Sequence, residues 1–137
     1  MGFTITDTHW SERGRCGRTI AFLARMLTDG HAALQTARAI ACDERTAVCI
    51  DENGAAVVFG DDNRQDFAYF FSCNTLPDRC TSGQTLHWLN GVTVYKVKGT
   101  TAGTNGFDLN TWTGNGGQTV ILDVSDGVLT PDIQTAD

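Results

Sequence analysis

Lysine is almost missing from this chain: Lys96 and Lys98 stand against eight arginines. Positive charge is short overall. Ten basic residues against 16 acidic ones leave a formal net charge of −6 and an isoelectric point near 4.8. That balance excludes a general binder of the nucleic-acid backbone, which needs a broad basic face. Long apolar runs are missing too. None approaches the roughly 18–20 residues of a membrane-spanning helix, and Met1 to Trp10 has neither the basic nor the apolar region of a signal peptide. Proline occurs twice, and no repeat, linker or low-complexity tract interrupts the sequence. The five cysteines form no CxxC pair, and the acidic pairs Asp61-Asp62 and Asp123/Asp126 lack EF-hand spacing. Neither zinc nor calcium is therefore expected, and no cofactor motif is present.

What is there fits one domain. The 137 residues are 41% hydrophobic, enough for a packed core. Ile20, Leu23, Ala24 and Leu27 recur at helical spacing from Gly17 onward, and Thr28-Asp29-Gly30 ends the run. Residues 31–38 are open between a helical turn and a loop. From Ala39 the pattern turns to strands: Ala39–Cys42, Thr46–Ile50, an Asn-Gly hairpin signal in Asp51–Gly54, then Ala55–Phe59. Tyr69–Ser72, Val92–Val97 and Gln118–Val124 are further strand candidates. Residues 7–15, Gly99–Gly106 and Thr113–Gly117 read as loops, and Asp126–Asp137 as a fraying tail. Cys73 and Cys80 bracket a short polar loop and are candidates for a disulfide, with buried free thiols the equal alternative. A disulfide would favour a secreted, oxidising setting.

Two segments concentrate chemistry. Asp7, His9, Arg13, Arg15 and Arg18 lie within twelve residues. A histidine moves protons near neutral pH, arginine forks grip carboxylates, and a carboxylate grips a cation. Such a set suits a substrate carrying both signs of charge; a solvated charged helix start is the competing reading. Asp43-Glu44 follows an apolar strand, where a carboxylate can orient a histidine or simply pair with Arg38 or Arg45.

Together the two segments resemble the cyanophycinase-like serine peptidases. Asp7-Thr8-His9-Trp10-Ser11-Glu12-Arg13-Gly14-Arg15-Cys16-Gly17-Arg18 matches that family's D-x-H-[FW]-x-x-R-x-R-x-G-R segment. Ala39-Ile40-Ala41-Cys42-Asp43-Glu44-Arg45-Thr46-Ala47 is similar to its G-I-x-x-D-E-x-T-A strand, with alanine for the first glycine. The resemblance covers residues 5–60 and continues more loosely beyond. It implies an α/β chain, the C-terminal part of a flavodoxin-like, class I glutamine-amidotransferase-like fold: one main helix, then a β-rich half. It further implies His9 as general base, Glu44 as the acid that orients it, and a pocket of Asp7, Thr8, Arg13, Arg15 and Arg18. The implied substrate is β-Asp-Arg polymer.

The family's nucleophilic serine lies N-terminal to the D-x-H segment. The resemblance therefore predicts that the chain supplies part of a catalytic domain, with the nucleophile-bearing half as a partner and a second copy of this chain as another candidate. Alone the chain is expected to be inactive and to self-associate through an unpaired sheet edge. Gly99-Thr100-Thr101-Ala102-Gly103 mimics an elbow string but lacks a following helix. An accessory module binding a zwitterionic peptide or a partner chain is the alternative from another class, and an aspartyl dipeptidase-like specificity a third.

Overall fold

A short strand, a helix and a second strand open the chain. The computed structural model describes residues 4–134. Strand β1 (Thr4–Thr8) leads through a tight turn into α1 (Cys16–Thr28), and the chain returns as β2 (Arg38–Cys42), parallel to β1. Helix α1 forms where the 3.6-residue spacing predicts it. Ile20, Leu23, Ala24 and Leu27 are all buried against the sheet, while Phe22 on the outer face is 51% exposed. Its N-cap, Arg15, offers no side-chain cap; instead the amide of Cys16 donates to Gln134 Oε1 at 3.1 Å, from the far end of the chain.

The remainder is strand: β3 (Ala47–Ile50), β4 (Ala55–Phe59), β5 (Phe67–Cys73), β6 (Trp88–Lys98), β7 (Asn105–Asp108), β8 (Thr113–Asn115), β9 (Gly117–Ser125) and β10 (Val128–Thr130). They build a six-stranded sheet, β1-β2-β5-β6-β9-β10, and a four-stranded one, β3-β4-β7-β8. Among the described strands only the β1–β2 pair is parallel; every other neighbour is antiparallel. One face of the large sheet packs on α1 through Trp10, Ala39, Tyr69, Phe71 and Val94, and the other packs on the small sheet through Ile40, Phe70, Val58 and Phe107. At the crossing between the sheets, a Cβ on Gly60 would come within 2.9 Å of Gly99 Cα, so that approach requires glycine.

The coarse α/β expectation holds, with one helix and a sheet-rich body. Several local expectations do not. Asp7 and Thr8 belong to β1 rather than to a loop, because they pair with Ala41 and Cys42. Asn105 and Gly106, read as loop, open β7 on the edge of β4, and Thr113–Asn115, also read as loop, adds β8 to β7. The tail does not fray where it is described: β10 pairs with β9, and Ile133 is buried. Residues 135–137 lie outside the described residues. Residues 31–37 hold turns and no helix. The Cys73–Cys80 disulfide is also corrected. Both are free thiols, Cys73 buried in the helix-side core and Cys80 with its sulfur 3.8 Å from Arg25 Nη1.

Register sets what lies under the helix. Pairing carries a single row across the sheet, Asp7–Ala41–Tyr69–Lys96–Gln118, on the α1 side. The next row, Ile5–Ala39–Phe71–Val94–Val120, is wholly apolar. The helix-side face thus changes from apolar to polar toward the carboxyl ends of β1 and β2.

Candidate functional site

His9 follows the last residue of β1, and Asp43 follows the last residue of β2. Adjacent parallel strands therefore deliver both motif segments to one edge of the sheet. The amide of Trp10 continues the pairing by donating to Cys42 O at 3.2 Å. Trp10 is fully buried, its ring 4.2 Å from that of Tyr69 and 5.5 Å from Phe71, with its indole N–H on Thr19 Oγ1 at 2.9 Å. That anchor forces the preceding backbone into a sharp reversal. His9 takes φ of 50°, a left-handed conformation that histidine adopts at some energetic cost. Its imidazole stays half-buried at the sheet edge.

The carboxylate that braces this turn is Asp43, 2% exposed. It accepts from the Ser11 amide at 3.0 Å, the Phe67 amide at 2.9 Å and the Tyr69 hydroxyl at 3.0 Å. Ser11 Oγ lies 3.0 Å from the same phenol. Burial raises the Asp43 pKa, outweighing the hydrogen bonds from Ser11, Phe67 and Tyr69 that favour its charged form. Lys96 completes the buried polar group. Its ammonium donates to Ile133 O at 2.9 Å and sits 4.2 Å from the centre of the Phe67 ring. Burial lowers its pKa, against the fields of Asp43 and Asp132.

Glu44 is placed differently from Asp43. It is exposed, and its backbone amide donates to Glu12 Oε1 at 2.8 Å. Among the described residues no hydrogen bond joins its carboxylate to His9. The structure therefore brings Glu44 to the correct edge without making the orienting contact, and ties Asp43 to the turn beside His9.

Asp7 accepts from Arg15 Nη1 at 2.9 Å and, through both oxygens, from Arg18 Nη2 at 2.7 and 2.6 Å. Arg15 also reaches Thr8 O. Burial raises the Asp7 pKa, but hydrogen bonds from Arg18 and Arg15 together outweigh it and hold the carboxyl below its ordinary value. Arg13 is exposed, with no hydrogen bond among the described residues. The pocket candidates Asp7, Arg15 and Arg18 thus form one ion-paired cluster next to His9 in sequence, with two guanidiniums on one carboxylate and so an excess positive charge, while Arg13 is an exposed cation outside those pairs. Thr8 is exposed at the end of β1.

Sequence reasoning passed over Ser11, Tyr69 and Lys96 as site residues. The alternation that puts Tyr69 in phase with Phe67 and Phe71, and Lys96 in phase with Val92 and Val94, was the available signal. Among the described residues no group of three or more metal-ligating side chains converges, and no helix is long and apolar enough to cross a membrane. No family model, curated protein or solved structure matches the chain.

Proposed function

We propose that this chain supplies the general base and the charged pocket of a cyanophycinase-like serine peptidase, on the C-terminal part of a flavodoxin-like fold. One observation carries the reading. His9 and Asp43-Glu44, the two segments of the resemblance, leave the carboxyl ends of neighbouring parallel strands, where open α/β sheets build their sites.

In this reading His9 takes the proton of a serine hydroxyl as that oxygen attacks the peptide carbonyl, then returns it to the leaving amine. The serine comes from polypeptide N-terminal to the D-x-H segment. Asp43 fixes the turn next to the base. The exposed Glu44 is free to swing onto the imidazole once the site is complete. A substrate bearing a guanidinium and a carboxylate exchanges ion pairs with the Asp7–Arg15–Arg18 cluster, charge for charge, and Arg13 adds a grip on a further carboxylate.

The test is to assay β-Asp-Arg polymer hydrolysis by the chain alone and with the nucleophile-bearing half supplied. Activity is expected only in the combination, and His9→Ala should lower it by about 10²–10⁴-fold. Turnover by the isolated chain, or a fully active His9→Ala combination, would refute the assignment.

A second reading is an accessory module that binds a zwitterionic peptide or a partner chain. One observation favours it: the strand-to-helix junction among the described residues, β1 to α1, carries Ser11 buried and paired with Tyr69, not presented as a nucleophile. Saturable peptide binding with no turnover in the completed protein would select this reading.

A further inference from the structure

At the opposite end of the β1–β2 pair from His9, about 13 Å along the strand from Cys42 at roughly 3.3 Å per residue, the sheet carries a cation with no carboxylate partner among the described residues. Five of the eight arginines pair with carboxylates: Arg15 and Arg18 with Asp7, Arg25 with Asp29, Arg64 with Asp66 and Arg79 with Asp126. Arg13 and Arg45 are exposed. Arg38 is neither. It is half-buried at the start of β2, with no ion pair among the described residues and one long hydrogen bond, Nη1 to Ala37 O at 3.4 Å. Burial lowers its pKa, and the sole charge effect opposing that is from the Cys73 thiol. In a chain with six excess acids, leaving a part-buried guanidinium unpaired is costly.

The surroundings hold that guanidinium in place. Its central carbon lies 4.8 Å from the centre of the Trp112 ring. Trp112 is itself wedged edge-on against Phe107 at 5.1 Å and Phe70 at 6.4 Å. Its backbone sits at φ of 56°, strained for tryptophan, and its buried indole N–H has no acceptor among the described residues. Strain and an orphaned donor in one residue are features that collect at ligand clamps. Arg38 and Trp112 line a cavity of about 240 Å³ with Gln35, Thr36, Asn110 and Thr111, all neutral and polar.

We propose that this cavity is a binding site for a small carboxylate, taken two-pronged by the Arg38 fork with the body of the ligand against Trp112. The fork geometry favours a planar carboxylate, and the contact with the Trp112 ring holds the guanidinium in place before the ligand arrives. The site is independent of the peptidase reading, because it needs neither His9 nor a nucleophile.

The probe is sodium benzoate at millimolar concentration, titrated into the ¹⁵N-labelled chain and followed at the tryptophan indole resonances. The expected result is a saturable shift of the Trp112 indole, with those of the fully buried Trp10 and Trp88 unmoved. Arg38→Gln should weaken it about tenfold or more. Arg38→Lys, which keeps charge but loses the fork, should fall between the two. Benzamide, of the same shape without charge, should leave the resonance in place. Unchanged Trp10 and Trp88 resonances in the variants certify their fold. Failure of benzoate to shift Trp112 saturably, wild-type affinity in Arg38→Gln or in Arg38→Lys, or tighter binding of inorganic phosphate would each overturn the proposal.

Discussion

Removing the Asp43 carboxylate should both destabilise the chain and loosen the turn beside His9. In Asp43→Ala three donors lose their acceptor: the amides of Ser11 and Phe67 and the phenol of Tyr69. The phenol can turn to Ser11 Oγ, already 3.0 Å away. Two backbone amides then remain unsatisfied, each costing roughly 1–3 kcal/mol when buried. Loss of a buried charge offsets part of this, so the net destabilisation should be about 3 kcal/mol, a large share of a domain's stability. For a chain of this size that corresponds to a fall in Tm of about 10–15 °C. Thermal unfolding by circular dichroism gives the first readout, and hydrogen exchange at the Ser11 and Phe67 amides the second. Asp43→Asn keeps one carbonyl oxygen but turns an amide group toward a donor, so about half the loss is expected. The pH dependence supplies an independent check. Asp43 has its folded pKa raised by burial. Between the ordinary carboxylate value and the raised one, the folded chain holds a proton that the unfolded chain has released. Asp43 therefore contributes stability that fades as pH rises through that interval, and Asp43→Asn should remove the slope. A Tm for Asp43→Ala within about 3 °C of the wild type, with unchanged exchange at Ser11, would refute the bracing role.

Further outcomes follow from the same packing. Trp10→Ala empties a fully buried site and should cost about 3–5 kcal/mol by urea unfolding; a loss under 1 kcal/mol, on the order of a surface change, would mean the turn is not anchored there. Asp7 behaves oppositely to Asp43: its lowered pKa gives stability that is present above the ordinary carboxylate value and lost as pH falls through the lowered one, and Arg18→Gln should shrink that loss in acid titrations. Cys16 and Cys73, both pushed up to about 12 by burial, should resist alkylation at neutral pH until unfolding, whereas the exposed Cys49 should react at once. Rapid native labelling of Cys16 or Cys73, mapped by mass spectrometry, would contradict their burial. The edge strand β1 together with exposed Phe22 should drive self-association of the isolated chain, and a clean monomer at high concentration in size-exclusion chromatography would count against it.

How far the sequence could be read depended on where each element gets its stability. Helix α1 and the strands β2 to β6 and β9 carry apolar residues at regular spacing, so their existence was legible. Strands β7, β8 and β10 were not. Asn105-Gly106-Phe107-Asp108 has one apolar anchor, Phe107, stacked 4.0 Å from Phe70, and the strand exists because β4 offers it a ladder. Strand β1 was hidden for a similar reason: Thr4, Thr6 and Thr8 alternate with Ile5 and Asp7, and Asp7 lies on the helix-side face. The motif segments drew attention to His9 and the acidic pair. Which acid would be buried could not be read locally, because the Phe67 and Tyr69 donors that fix Asp43 arrive from β5, 24 and 26 residues later.

The polar row beneath the helix makes strand alignment part of the chemistry. Asp7, Tyr69 and Lys96 fall in one row, with Ala41 between the first two, because three ladders agree in phase. Because side chains alternate, a one-residue slip of β5 would turn Tyr69 toward the small sheet and bring Phe70 beneath Trp10. Asp43 would lose its phenol and Lys96 its aromatic neighbours in the same event. The sheet therefore works as a vernier: its graduations are single residues, and the charged groups near His9 meet at one setting of the scale.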